Sequence, residues 1–190
     1  SPSTPVIELP PMFAPSPPLS VELISRYDDN GPAWYWNTLT LGEHTGTHFD
    51  APAHWITGKD LPDNTTDRLD PDTFVGPACV IDVTAEVDAN PDLLLTPEHI
   101  TSWEQAHGRI PAGAWVLLHT GWASRGHDTD AFFNADESGP HTPGPSKDAI
   151  AFLIHEREII GWGVETVGTD AGQAGGFGPP FSAQNPVPGR

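Results

Sequence analysis

Residues 115–119 read Trp115-Val116-Leu117-Leu118-His119, an apolar run too short for an independent helix and rich enough in branched side chains for a buried strand. Two further runs have the same character, Ala78-Cys79-Val80-Ile81-Asp82-Val83 upstream and Ile159-Ile160-Gly161-Trp162-Gly163-Val164-Glu165-Thr166-Val167 downstream. Between them lie two helical patterns. In the first, Thr96 is the N-cap, Pro97 takes the first helical position, Ile100 and Trp103 share a face, and Gly108 and Pro111 stop the helix. The second follows Pro145, sets Asp148 in its first turn, where the helix dipole favours an anion, buries Ile150, Leu153 and Ile154, and ends near His155 and Arg157. Strand and helix interleave, so an α/β fold with a mixed sheet is expected.

Nearer the N-terminus, Pro32-Ala33-Trp34-Tyr35-Trp36-Asn37-Thr38-Leu39-Thr40-Leu41 is aromatic and β-branched with partial alternation, which argues for a strand. Residues 1–20 are crowded with proline, including Pro10-Pro11 and Pro17-Pro18, and should be extended or looping. The 190 residues and 20.4 kDa fit one domain over residues 1–190, and 37% hydrophobic content suffices for a packed core. No internal repeat is visible. With 26 acidic against 8 basic residues the net charge is −18, a field that repels phosphate backbones and anionic lipid surfaces. Nucleic-acid and membrane partners are thereby excluded. A single cysteine, Cys79, sits in an apolar run, so no intrachain disulfide can form and a buried, inert thiol is expected. No stretch approaches the ~20 apolar residues of a membrane span, and Ser1-Pro2-Ser3-Thr4-Pro5 lacks the regions of a signal peptide, so a soluble, cytoplasmic protein is expected.

The strand pattern leads into Gly42-Glu43-His44-Thr45-Gly46-Thr47-His48-Phe49-Asp50-Ala51-Pro52-Ala53-His54-Trp55, which packs three histidines and an aspartate into eleven positions. Imidazole and carboxylate ligands must lie about 2.0–2.2 Å from a shared metal, whereas an extended chain at ~3.3 Å per residue would hold His44 and His48 about 13 Å apart. The chain must therefore fold back between them, and Gly46 is the residue that can bend. A helix would also bring positions four apart together, but Gly46, Thr45, Thr47 and Pro52 count against it. A strand bending at Gly46, with His48 and Asp50 then on one face by the period of two, meets the geometry. Three N/O ligands without a thiolate leave coordination positions open, as catalytic sites do. Manganese and zinc both suit such a set. A bound divalent ion acidifies its water and polarises a carbonyl, so hydrolysis is the expected chemistry. His54, four residues past Asp50 and a non-ligand, is the candidate proton shuttle, imidazole being the side chain that exchanges protons near neutral pH.

His44-Thr45-Gly46-Thr47-His48-Phe49-Asp50-Ala51-Pro52-Ala53-His54 resembles the HxGTHxDxPxH signature of the cyclase-like metal-dependent amidohydrolases of the kynurenine formamidase and isatin hydrolase type, and lies nearest the isatin-hydrolysing branch. Supporting stretches include Pro5-Val6-Ile7-Glu8-Leu9, Gly31-Pro32-Ala33-Trp34, Gly108-Arg109-Ile110-Pro111, Gly139-Pro140-His141-Thr142-Pro143-Gly144-Pro145 and Glu165-Thr166-Val167-Gly168-Thr169-Asp170. The resemblance implies a swivelling β/β/α fold, a divalent metal, manganese or zinc, held by His44, His48 and Asp50, and His54 as catalytic acid/base. It also implies hydrolytic opening of the isatin lactam to isatinate by metal-bound hydroxide, with an arylformamidase acting on N-formylkynurenine, or a non-catalytic metal-binding module, as alternatives. A homodimer acting on a small aryl or cyclic amide is implied as well. Family members open with a further strand and continue beyond the Pro179-Pro180-Phe181 stretch, so the domain is expected to lack family elements at both ends. Trp34, Trp36, Phe49 and Trp55 could wall a flat pocket or pack in the core. Asp170 and His141 are open between a site role and ordinary turn or loop roles.

Overall fold

The computed structural model describes residues 17–174. The proline-rich opening through Ser16 and the stretch from Gly175 onward, with Pro179-Pro180-Phe181, lie outside the described residues. The chain falls into two compact units, one formed by Ser1–Asp50 with Gly126–Thr129, the other by Ala51–Arg125 with Asp130–Arg190.

The first unit is built on a hairpin. Strand β1 (Ser20–Arg26) pairs antiparallel with β2 (Tyr35–Thr40), with a register shift between Leu23 and Ser25. β2 lies where the aromatic pattern predicts a strand, whereas the alternating Val21-Glu22-Leu23 of β1 was overlooked among the prolines around it. The connection is closed by Ser25, fully buried, whose hydroxyl donates to the Trp34 carbonyl at 2.7 Å and lies 3.1 Å from that of Gly31. Asp28 caps the turn, accepting from the backbone N–H of Arg26 and of Asn30. Within the chain the hairpin leaves Val21, Leu23, Trp34, Tyr35, Trp36 and Leu39 exposed.

The second unit holds β3 (Ala78–Asp82), helix α1 (Thr84–Ala89), β4 (Leu94–Leu95), α2 (Pro97–His107), β5 (Trp115–His119), all of α3 (Thr129–Phe133) but its first residue, β6 (Ala135–Asp136), β7 (Gly139–Pro140), β8 (Gly144–Pro145), α4 (Lys147–Arg157) and β9 (Gly161–Gly163). Strands β3, β5 and β9 form a parallel sheet in the order β3-β5-β9. Short helical crossovers make parallel pairing possible. Parallel and antiparallel pairing both occur, as a mixed arrangement requires, but in separate sheets rather than one. The third apolar run forms ladder only over Gly161–Gly163, and two residues beyond it the Glu165 carboxylate accepts from the Thr120 N–H.

Alternate residues of the sheet, Cys79, Ile81, Val116 and Leu118, are buried with Ile100 of α2 and Ala149, Ile150 and Leu153 of α4. Val80 and Leu117, on the opposite face, stay exposed. This alternation is why runs of continuous apolar sequence make a half-covered sheet. α2 begins at Thr96 as expected, but the third position of its capping box is His99, whose Nδ1 accepts from the Thr96 N–H at 3.0 Å. α4 is capped by Ser146, whose hydroxyl accepts from the Ala149 N–H. Cys79 is 7% exposed, and burial pushes its thiol pKa up, with the Glu104 charge adding to the shift. No helix among the described residues is long and apolar enough to cross a membrane.

One ion pair ties α2 to α4. Arg157 Nε and Nη2 meet Glu104 Oε1 at 2.7 Å and Oε2 at 2.9 Å, a bidentate fork with both side chains about nine-tenths buried. The Arg157 fork holds the Glu104 carboxyl below its ordinary 4.5. Removing one partner leaves an uncompensated buried charge, so Arg157→Met should cost about 3 kcal/mol in urea unfolding. Because the folded pKa of Glu104 is depressed, its contribution is complete above the unfolded value. It should be lost as pH falls through the folded value, and acid titration of stability should flatten in Glu104→Gln.

Candidate metal centre

After Thr40 the chain leaves the ladder, and residues 41–51 run through turns with no strand. The expected strand through His48 and Asp50 is therefore not formed. Two local features account for this. The Thr45 hydroxyl donates to the Gly42 carbonyl at 2.6 Å, and Gly46 takes φ +68°, where a side chain would be strained. The bend at Gly46 that the His44–His48 spacing demands is thus present, made by a turn.

Three donor atoms converge on it. His44 Nδ1 lies 2.9 Å from Asp50 Oδ1, His48 Nε2 lies 3.2 Å from the same oxygen, and the two nitrogens are 3.1 Å apart. The outward nitrogens fix what the inward ones carry. His48 Nδ1 donates to the Gly46 carbonyl at 2.7 Å, and since a carbonyl only accepts, Nε2 of the neutral ring is left as a lone pair. His44 Nε2 faces Glu43 Oε1 at 3.5 Å, which orients Nδ1 inward in the same way. Asp50 Oδ1 is buried and has no hydrogen-bond donor among the described residues.

Three lone-pair donors facing one another repel unless a cation lies between them. Donors about 2.1 Å from a common ion stand about 3.0 Å apart at right angles and about 3.4 Å apart in a tetrahedron, so edges of 2.9–3.2 Å fit a divalent ion. Two imidazoles and one carboxylate leave the remaining positions to water or substrate. Glu43, adjacent in sequence to His44, is the contributor that sequence reasoning missed. Its signal was a carboxylate beside a ligand histidine.

His54 ends the 3-10 turn Pro52–His54 of the second unit, with its ring edge-on to Trp55 at 4.5 Å between centroids. Trp34, Trp36 and Phe49 are exposed rather than packed in a core, and Trp55 is half-buried. His141 belongs to a different arrangement. Its Nδ1 meets Asp92 Oδ2 at 2.7 Å and its Nε2 meets Asp136 Oδ2 at 3.3 Å, a clasp whose Asp92 bond, above all, raises the His141 pKa. Asp170 lies in the loop whose backbone packs against Gly144. His119 Nδ1 lies 3.4 Å from Glu165 Oε2, which also accepts from the Thr120 N–H at 2.6 Å and from its hydroxyl at 2.9 Å. Burial works to raise the Glu165 pKa, but those hydrogen bonds together with His119 hold it lowered.

The family model described as "Putative cyclase" matches residues 3–171. A curated isatin hydrolase of Roseibium aggregatum is 54% identical over 185 residues, covering 97% of this chain and 70% of that protein. Among solved structures, isatin hydrolase A from Ralstonia solanacearum superposes with a TM-score of 0.85 at 53% identity, covering 95% of this chain and 68% of that one. An isatin hydrolase bound to the product analogue thioisatinate gives 0.84 at 54% identity, covering 96% and 70%. The expected α/β fold is thus the fold of these relatives.

Calorimetric titration with manganese or zinc should show one divalent ion bound per chain. Asp50→Asn and His48→Ala should abolish that binding. Glu43→Gln, which removes only the charge that orients His44, should weaken it by about tenfold.

Proposed function

The chain belongs to the Cyclase family, and from that premise we propose that it is a metal-dependent hydrolase that opens the lactam ring of isatin to isatinate. The observation that carries this reading is the convergence of His44 Nδ1, His48 Nε2 and Asp50 Oδ1 within 3.2 Å, with no hydrogen bond spent on the carboxylate oxygen among the described residues. What supports the substrate is the 54% identity to isatin hydrolase over nearly the whole chain, and the product analogue held by one of the similar structures. A single domain over residues 1–190 is part of the proposal, supported by a family match that runs through both units.

His44, His48 and Asp50 would hold the ion, manganese or zinc. When bound, it supplies Lewis acidity toward the lactam carbonyl and acidifies the water that attacks it. His54 handles the proton: it accepts one from the attacking water and passes it to the departing aniline nitrogen as the C–N bond breaks. The water oxygen becomes part of the new carboxylate, and the amine stays on the same molecule. Gly46 and Thr45 keep the ligand turn in shape, and Glu43 and the Gly46 carbonyl hold both imidazoles in the tautomer that offers a lone pair.

The protein acts as a homodimer in this reading. The β1–β2 hairpin exposes Val21, Leu23, Tyr35 and Leu39 on one face of its ladder, an apolar patch of the kind that marks an interaction surface. A second copy meeting it by two-fold symmetry would bury that face. We assign the enzyme to the cytoplasm, where a lone thiol such as the buried Cys79 stays reduced.

Protein loaded with manganese or zinc should consume isatin, followed by absorbance, and consume N-formylkynurenine more slowly. Preference for the formyl compound would redirect the assignment, and metal uptake with neither reaction would leave a binding module. His54→Ala should lose at least about 100-fold in kcat with metal content unchanged. Light scattering should report a dimer, and Leu39→Glu should shift it toward monomer.

A further inference from the structure

The His54 turn has little regular structure to hold it. Within its own span, the His54 N–H donates to the Ala51 carbonyl and the Trp55 N–H to the Pro52 carbonyl, at 2.9 and 3.1 Å. Contacts of that kind set the shape of a turn without fixing where it sits. Two residues further along the chain help to fix it. The backbone carbonyl of Asn64 accepts from the Ala53 N–H at 2.9 Å, one residue before His54. The Asn64 side chain reaches in the other direction, its Nδ2 donating to the Gly58 carbonyl at 2.9 Å.

Gly58 itself is buried against the turn. A Cβ built there would stand 1.9 Å from the Pro52 carbonyl oxygen and 2.5 Å from its carbon. Any side chain at Gly58 must therefore displace backbone two residues from His54. The loop from Ala51 to Asn64 is thus closed by one asparagine bonded at both its backbone and its side chain, with a glycine fitted beneath the histidine's own turn. Neither residue has an imidazole, carboxylate or hydroxyl to offer to chemistry, and neither is part of the donor set around Asp50.

We propose that Asn64, with Gly58 beneath it, is the positioning element that holds His54 in register for proton transfer. This rests on the reading of His54 as acid/base, and it adds residues that act through His54 alone. Displacement of a proton-transfer group by about 1 Å costs up to about 100-fold in rate. The loss should fall on kcat, because the proposed metal ligands His44, His48 and Asp50 are left unchanged.

The test compares Asn64→Ala, Asn64→Asp and Gly58→Ala with wild type and His54→Ala, on metal-loaded protein with isatin as substrate. Asn64→Asp keeps the size and the backbone acceptor and replaces the Nδ2 donor with a charged carboxylate oxygen, and Asn64→Ala removes the donor without adding charge. The expected result is a fall in kcat of about 10- to 100-fold with KM and metal content unchanged. Added imidazole should restore part of the rate in the Asn64 variants, as in His54→Ala, because a diffusible proton carrier replaces a misplaced one. Wild-type kcat in Asn64→Asp, or a loss that imidazole leaves untouched, would overturn the inference. Should Asn64→Ala fail to fold by circular dichroism, Asn64→Asp alone decides by the same two readouts. His54→Ala with undiminished turnover would defeat the underlying reading, whereas an inactive His54→Ala beside a fully active Asn64→Asp defeats only the positioning role.

Discussion

A carboxylate oxygen removed from water loses several kcal/mol of solvation unless something positive or a donor replaces it. Asp50 Oδ1 is in that position, buried, without a hydrogen-bond donor among the described residues, and faced by the His44 and His48 ring nitrogens at 2.9 and 3.2 Å. The turn that creates this arrangement would be costly without a cation. A fold that keeps it keeps a binding energy in reserve, because the ion satisfies three groups at once. The bend at Gly46, the Thr45 hydroxyl on the Gly42 carbonyl and the outward bonds of both imidazoles all serve that one oxygen.

Elsewhere the molecule sets its charged groups against donors, although Asp92 Oδ1, like Asp50 Oδ1, is buried with no hydrogen-bond partner among the described residues. Glu104 takes both prongs of Arg157 and the Ile110 N–H, so nothing is left to bind a ligand. His141 is held between Asp92 and Asp136, and Glu165 is occupied by Thr120 and His119. These clusters carry the same residue types as the candidate metal centre. What separates them is whether the lone pairs point at donors or at one another, and that distinction ranks the His44 group above the others as a site.

The scaffold around these groups is unequal in regularity. The parallel sheet and helices α2 and α4 hold the second unit through alternate buried side chains, and the hairpin organises the first. The site-bearing residues come from turns next to these elements. Turns can present donor atoms at spacings a ladder cannot, but they need local clamps, which here are Thr45 for the ligand turn and Asn64 for the His54 turn.

Much was legible in the sequence because it depends on neighbours along the chain. The strands at Ala78 and Trp115, the helices after Thr96 and Pro145, the buried thiol and the need for a bend at Gly46 all follow from short-range pattern and chain geometry. The grouping of the His44, His48 and Asp50 side chains was legible as well, since one turn at Gly46 is enough to bring such near neighbours together. Other features were decided by tertiary structure, because they depend on partners distant in sequence. The third apolar run pairs only as far as Gly163, and the Glu165 carboxylate beyond it meets Thr120, 45 residues away. His141 became a clasp because Asp92 lies 49 residues upstream. Likewise, parallel and antiparallel strands went to separate sheets, and Asn64 met the His54 turn, through contacts that no local period encodes. Sequence determined which atoms could bind a cation, and the fold decided which of them were left facing one another with nothing else to bond.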